Sequence, residues 1–143
     1  KDEKWYINTN QSFAFADGTV TASYGTATAK AHADRNGTDE DGVELNPVVV
    51  IEGLKTQLIK TLKQQVAGIL SDTDWYITRN TEKSTAIPSA ISTHRNLVRS
   101  RQAAMETAIT NASDTPALET LYTYTTTDGV TSRPIGELPI LEI

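Results

Sequence analysis

The chain has 143 residues, a net charge of −5, no cysteine and a hydrophobic fraction of 38%, which bounds it to one domain, or two very small ones, around a modest core. Without Cys there are no disulfides, thiol nucleophiles or thiolate metal ligands, and no apolar run reaches the roughly 20 residues that span a bilayer. Residues 1–48 carry 4 basic and 8 acidic groups, 49–121 carry 8 and 7, and 122–143 carry 1 and 3, so no basic stripe is present and neither nucleic acid nor membrane is expected as a partner.

Residues 1–32 read as a β-rich N-terminal segment. Lys4–Asn8 and Ser12–Ala16 alternate, with Trp5 and Ile7, then Phe13 and Phe15, on one face. Asp17-Gly18 is a two-residue hairpin signal, and Thr19–Tyr24 is the expected return strand. The expectation is a three-strand meander or part of a shared sheet. Two or three short strands are marginal alone, so they should rest on helices or on another chain. Residues 33–47, "ADRNGTDEDGVELNP", form an acidic surface loop or linker. The oxygen donors Asp34, Asn36, Asp39, Asp41 and Glu44 invite a calcium reading. Counted from Asp34, however, the sixth position is Asp39 rather than Gly and the twelfth is Leu45 rather than Glu. A solvated loop of Asx turns fits better, and no metal or cofactor is expected.

Residues 48–121 read as a helical hairpin domain. Ile51, Leu54, Leu58, Leu62, Val66, Ile69 and Leu70 recur mostly in steps of 3 or 4, as one helical face requires. Ser71–Asp74 reads as the stop, and a polar loop follows. A second helix starts near Pro88, with Thr85 as candidate cap. Its positions Ile91, Val98, Met105 and Ala112 are spaced by seven, with Leu97, Ala104 and Ile109 widening the stripe. It is expected to pack on the first helix as an antiparallel hairpin. A short third helix, Pro116–Leu121, is expected with Ser113 or Thr115 capping. Residues 122–143 read as a second hairpin around Asp128-Gly129 and an extended apolar tail that docks in a groove or on a neighbour. The fold class is therefore α+β, a central antiparallel helical hairpin flanked by N-terminal and C-terminal β-hairpins.

Candidate chemistry is sparse. The two histidines, His32 and His94, have no acids at metal-ligand spacing, and a general base at His94 would need Asp72 or Asp74 brought to it from the hairpin turn; a packing or hydrogen-bonded His is the expectation. There is no phosphate loop and no G-x-S-x-G. Arg95 and Arg99 share a helix face and suit a clamp on Asp72, Asp74 or Glu82, or on a partner's carboxylates. Trp75 and Tyr76 suit a cover for the open end of the helix pair or an interface anchor. No catalytic constellation results, and the chain is expected not to be an enzyme.

The same stretch carries a resemblance. Asp74 and Trp75 end one helix, Arg79 follows, then Ile87-Pro88, then His94-Arg95, Val98 and Arg99 on the next helix. Over Leu54–Leu121 this pattern resembles the helical hairpin of tailed-bacteriophage tail (fibre) assembly proteins and related small virion proteins of marine and cyanobacterial phages. That family usually has Tyr where His94 stands, and the β-rich start and extended end lie outside the similarity. The resemblance implies no enzymatic activity. In such families the hairpin is sometimes an assembly helper and sometimes a module of the finished particle; the flanking β segments and apolar tail favour a virion protein, assembled in the host cytoplasm, in the tail, baseplate or fibre-attachment region. Its partners would be other virion proteins such as tail or fibre subunits, and it would be oligomeric in the particle. The expected hairpin clamp and interface comprises Asp74, Trp75, Tyr76, Arg79, Pro88, His94, Arg95 and Arg99. The expected apolar docking residues are Trp5, Phe13, Phe15, Ile135, Leu138, Ile140, Leu141 and Ile143. Alternatives are a transient fibre assembly chaperone and a receptor- or glycan-binding fibre module.

Overall fold

A computed structural model describes residues 1–141. The fold is mixed α+β. Among the described residues there are four helices and four separate two-stranded antiparallel ladders. The strands are β1 (Tyr6–Ile7), β2 (Ser12–Ala16), β3 (Thr19–Ser23), β4 (Thr28–Ala29), β5 (Arg35–Asn36) and β6 (Val50–Ile51). The helices α1 (Leu54–Ser71), α2 (Asp74–Lys83), α3 (Ser89–Asn111) and α4 (Thr115–Tyr122) follow, and β7 (Thr125–Thr127) and β8 (Val130–Ser132) come last.

The expected meander does not form, because β1 pairs with β4 and not with β2. The chain leaves the body at Thr9, turns at Asn10 (φ 54°) and returns at Gly25, whose N–H donates to the Thr9 carbonyl at 3.0 Å. The β2–β3 hairpin therefore projects beyond a two-residue neck. Its turn places both Asp17 (φ 51°) and Gly18 (φ 75°) in the left-handed region, as does Asp128-Gly129 between β7 and β8 (φ 51° and 77°). Two left-handed central residues give the turn whose twist matches a tight hairpin, and Asp-Gly is a pair that tolerates it. A second two-residue neck, β5–β6, closes off residues 37–49. Inside it, Asp39 Oδ1 accepts from the N–H groups of Asp41 and Val43, so the acidic loop is built of Asx turns.

The core is made by Trp5, Tyr6, Leu54, Leu62, Val66, Val98, Met105, Ile109, Ala112, Leu118 and Ile135. A fully buried apolar side chain contributes about 1.5–3 kcal/mol, so stability resides in α1, α3, α4 and the segments that cover them. Contacts tie the start of α1 to the end of α3, where Lys55 Nζ donates to the Thr110 carbonyl (2.8 Å). Others tie the end of α1 to the start of α3, where Arg95 Nη1 donates to the Leu70 carbonyl (2.8 Å). Along α3 the buried positions are Ile91, His94, Arg95, Val98, Met105 and Ile109. Leu97, expected to widen that stripe, faces solvent instead, because it lies about 100° around the helix from Val98 and about 160° from Arg95.

Helix starts differ from expectation in how they are capped. Gly53 precedes α1 without a side-chain cap, and the first free N–H groups, on Leu54 and Lys55, donate to the carbonyls of Ala31 and His32 (2.9 and 3.0 Å). Gly53 N–H donates to Asp34 Oδ1 at 2.8 Å. Pro88 is the N-cap of α3, with no side-chain cap from Thr85. Asp114, and neither Ser113 nor Thr115, caps α4 by accepting from Ala117 N–H. Thr115 instead donates to the Lys30 carbonyl (2.7 Å), so three consecutive carbonyls, 30–32, serve the starts of two helices. The expected polar loop after Asp74 is also corrected, since it contains the ten-residue α2.

The N- and C-terminal segments meet in a ladder of cations and rings. Lys4 Nζ lies over Trp5 and Tyr122 (4.5 and 4.4 Å), and Arg133 lies over Tyr122 and Tyr124 (5.5 and 5.1 Å). Arg133 also pairs with Glu137 (2.7 Å). No described helix is long and apolar enough to cross a membrane.

Candidate functional site

The residues singled out in the sequence gather where α1 ends and α2 and α3 begin. Arg95 organises this corner. The last carbonyls of a helix lack intrahelical partners, and α3 presents the buried Arg95 to the end of α1. Its Nη1 donates to the Leu70 carbonyl (2.8 Å) and to Thr73 Oγ1 (2.6 Å), while Nη2 pairs with Asp74 Oδ1 (2.8 Å). Thr73 Oγ1 in turn donates to the Leu70 carbonyl at 3.0 Å. Arg95 thus closes α1 and fixes the first residue of α2. Asp74 keeps 60% of its side chain exposed. Thr73 and the Leu70 carbonyl had no signal in the sequence, because a helix terminus becomes an acceptor only once its end is placed.

Trp75, Tyr76 and Arg79 form a second group on α2. The Trp75 and Tyr76 rings lie 3.8 Å apart between centroids, at 32°. The Arg79 guanidinium sits 4.7 Å from the Trp75 ring and 5.4 Å from the Tyr76 ring. Its Nε is buried without a hydrogen-bond partner. Trp75 remains 51% exposed. Tyr76 is half-buried beside it.

His94 is buried and lines a groove of about 290 Å³ with Ile69, Asp72 and Thr73 on one side and Leu138–Leu141 of the C-terminal tail on the other. Pro88 is exposed at the start of α3, and Arg99 is exposed, forming no ion pair within the described residues. The clamp residues therefore divide: Asp74 and Arg95 hold the corner, Trp75 is exposed with Tyr76 and Arg79 half-buried against it, and Arg99 belongs to neither group.

The apolar docking residues divide too. Trp5 and Ile135 are 3% exposed and belong to the chain's own core, which removes them from any interface. Phe13 and Phe15 stand 68% and 74% exposed on the projecting hairpin. Leu138 packs against the core, Leu141 is half-buried and Ile140 is exposed. Ile143 lies outside the described residues. The tail is held by Arg101, whose Nε donates to the Glu137 carbonyl (3.1 Å) and whose guanidinium occupies the space a Cβ would need at Gly136 (φ 72°).

Among the described residues no three of His, Asp and Glu converge on a point that could hold a metal. What the corner offers is a fixed helix junction, two aromatic faces and a guanidinium that makes no ion pair among those residues. No protein-family model, curated protein or solved structure matches the chain.

Proposed function

We propose that this chain is a non-enzymatic structural component of a tailed-bacteriophage particle, in the tail, baseplate or fibre-attachment region, acting through protein–protein interfaces. In this reading α1 and α3 form a central antiparallel helical hairpin that serves as a strut, flanked by β-hairpins that reach neighbouring subunits. The resemblance of the Asp74–Arg99 pattern supports the phage setting. The observation that carries the interface role is the β2–β3 hairpin. All ten of its strand residues are exposed, and one face gathers Phe13, Phe15, Val20 and Ala22 by cross-strand pairing. A two-stranded hairpin has marginal stability alone, and a side chain left in water contributes nothing to the fold. Such a face, with both strand edges open, is suited to strand addition or to burial against a neighbour.

Mass spectrometry of purified particles of the phage that encodes the chain tests the reading. The chain should be present at a fixed ratio to the tail proteins, and F13S/F15S should abolish incorporation while leaving the purified chain folded. A chain absent from purified particles, as a transient assembly chaperone would be, overturns it.

A further inference from the structure

We propose that α2 is a docking helix whose occupant is a second copy of this chain, received through that copy's acidic loop 38–45. Four observations lead there. First, α2 has ten residues and buries none of them. A helix of that length does not hold itself in water, and here it is tied down by Arg95 only at its first turn. Along the helix, Tyr76, Arg79 and Asn80 are no more than half-buried and the other residues are exposed.

Second, Arg79 is charged, half-buried and makes no ion pair among the described residues; its Nε is enclosed, which leaves its Nη groups as the donors a partner could reach. It lies pre-oriented on Trp75 and Tyr76. Guanidinium forks select carboxylates, and Trp, Tyr and Arg are the residue types that dominate interface energetics.

Third, the complementary surface exists on the same chain. The loop carries Asp39, Glu40, Asp41 and Glu44 and no base, and every residue from Thr38 to Leu45 is exposed. Asp39 is occupied by its Asx turns and Glu44 accepts from Asn36, but the Glu40 and Asp41 carboxylates have no partner among the described residues. Val43 and Leu45 stand exposed beside them, apolar partners for Trp75 and Ile77. The loop is already folded by its own hydrogen bonds, which lowers the ordering cost of docking.

Fourth, the two surfaces are anchored at opposite ends of α1. The loop is anchored at the start of α1 through Asp34 and Gly53, whereas α2 follows its end. The 18 residues of α1 put about 27 Å between them. Complementary surfaces at opposite ends of one molecule join copies end to end or in a reciprocal pair.

The inference stands apart from the phage reading, because it concerns the purified chain alone. Sedimentation velocity over a concentration series gives the test. The wild-type chain should associate, about tenfold more weakly when salt is raised from about 0.05 to 0.5 M, as screened charge pairs do. R79E and the double variant E40K/D41K should each weaken association at least about tenfold, and R79E/E40K/D41K together should recover to within about threefold of wild type. R79Q, which removes the charge without reversing it, should also weaken association if R79E unfolds α2 by circular dichroism. A wild-type chain that remains monomeric at millimolar concentration overturns the proposal. So does association indifferent to these reversals, or failure of the combined variant to recover.

Discussion

Arg95 and Asp74 form one ion pair but carry unequal weight. Arg95 is buried and serves a helix end, a hydroxyl and a carboxylate, while Asp74 is largely in water. R95A takes one of several donors from the Leu70 carbonyl, removes the donor to Thr73 Oγ1 and empties a buried side-chain volume, and should cost about 2–4 kcal/mol. D74N should cost less than about 1 kcal/mol, as exposed pairs do. Urea denaturation of both variants measures the difference, and equal losses would contradict this division. Gly53 makes a parallel case through sterics. Its backbone is extended (φ −79°, ψ 175°), which any residue adopts, but a Cβ there would overlap the Ala33 carbonyl and the His32 backbone. G53A should therefore cost more than about 2 kcal/mol, because neither backbone can retreat without releasing the carbonyls that cap α1. At this scale an arginine clamp was legible, but not which of Asp72, Asp74 or Glu82 it would hold, nor whether Arg95 or Arg99 would hold it. The role of Gly53 was not legible, because its crowding comes from a segment some twenty residues earlier in the sequence.

Secondary elements differ sharply in what holds them. α1 and α3 share a buried stripe, whereas the β2–β3 hairpin has only its own ladder and turn. Amide hydrogen exchange of the purified, dilute chain should show the β2–β3 amides exchanging with little protection and those of Leu62, Val66, Val98 and Ile109 among the slowest. Protection of the hairpin comparable to α3 would mean that it packs on the body. Both Asp-Gly turns and the long helices were readable because local chemistry dictates them: a pair tolerant of left-handed φ, and apolar residues at helical spacing. The pairing of β1 with β4, and the existence of α2, were not. Two-residue strands have no periodicity to detect, and α2 lacks the apolar stripe by which a helix announces itself.

Across the whole molecule, titration should bracket a broad neutral plateau. Asp34 sits below the usual carboxylate range because Thr56 and the Gly53 N–H donate to it, and Glu137 does so because the Tyr124 hydroxyl and then Arg133 donate to it. A folded-state value below the unfolded one gives stability that is present above about pH 4 and lost as pH falls through the folded values. Tyr6 and Tyr124 are pushed up by their bonds to Glu119 and Glu137, and Tyr122 is pushed up by burial. Their contribution is present below about pH 10 and lost as pH rises through the folded values. Burial lowers Lys4, which acts in the opposite sense and softens the alkaline loss. Urea midpoints across pH should be flat near neutrality and fall at both ends, and E137Q should shallow the acid limb. An acid limb unchanged by E137Q would exclude that carboxylate. Such cross-chain pairs, like the cation–ring ladder joining Lys4 to Arg133, join residues far apart in sequence and leave no local pattern. The two-residue ladders β1–β4 and β5–β6 have a further consequence. Each clasps the stem of an excursion whose ends are already fixed, so residues 10–24 and 38–48 can be lengthened, shortened or exchanged without moving the frame beneath them. The molecule is built as a chassis with two interchangeable cassettes, and its partners can diverge in lineage or by grafting while its helices stay the same.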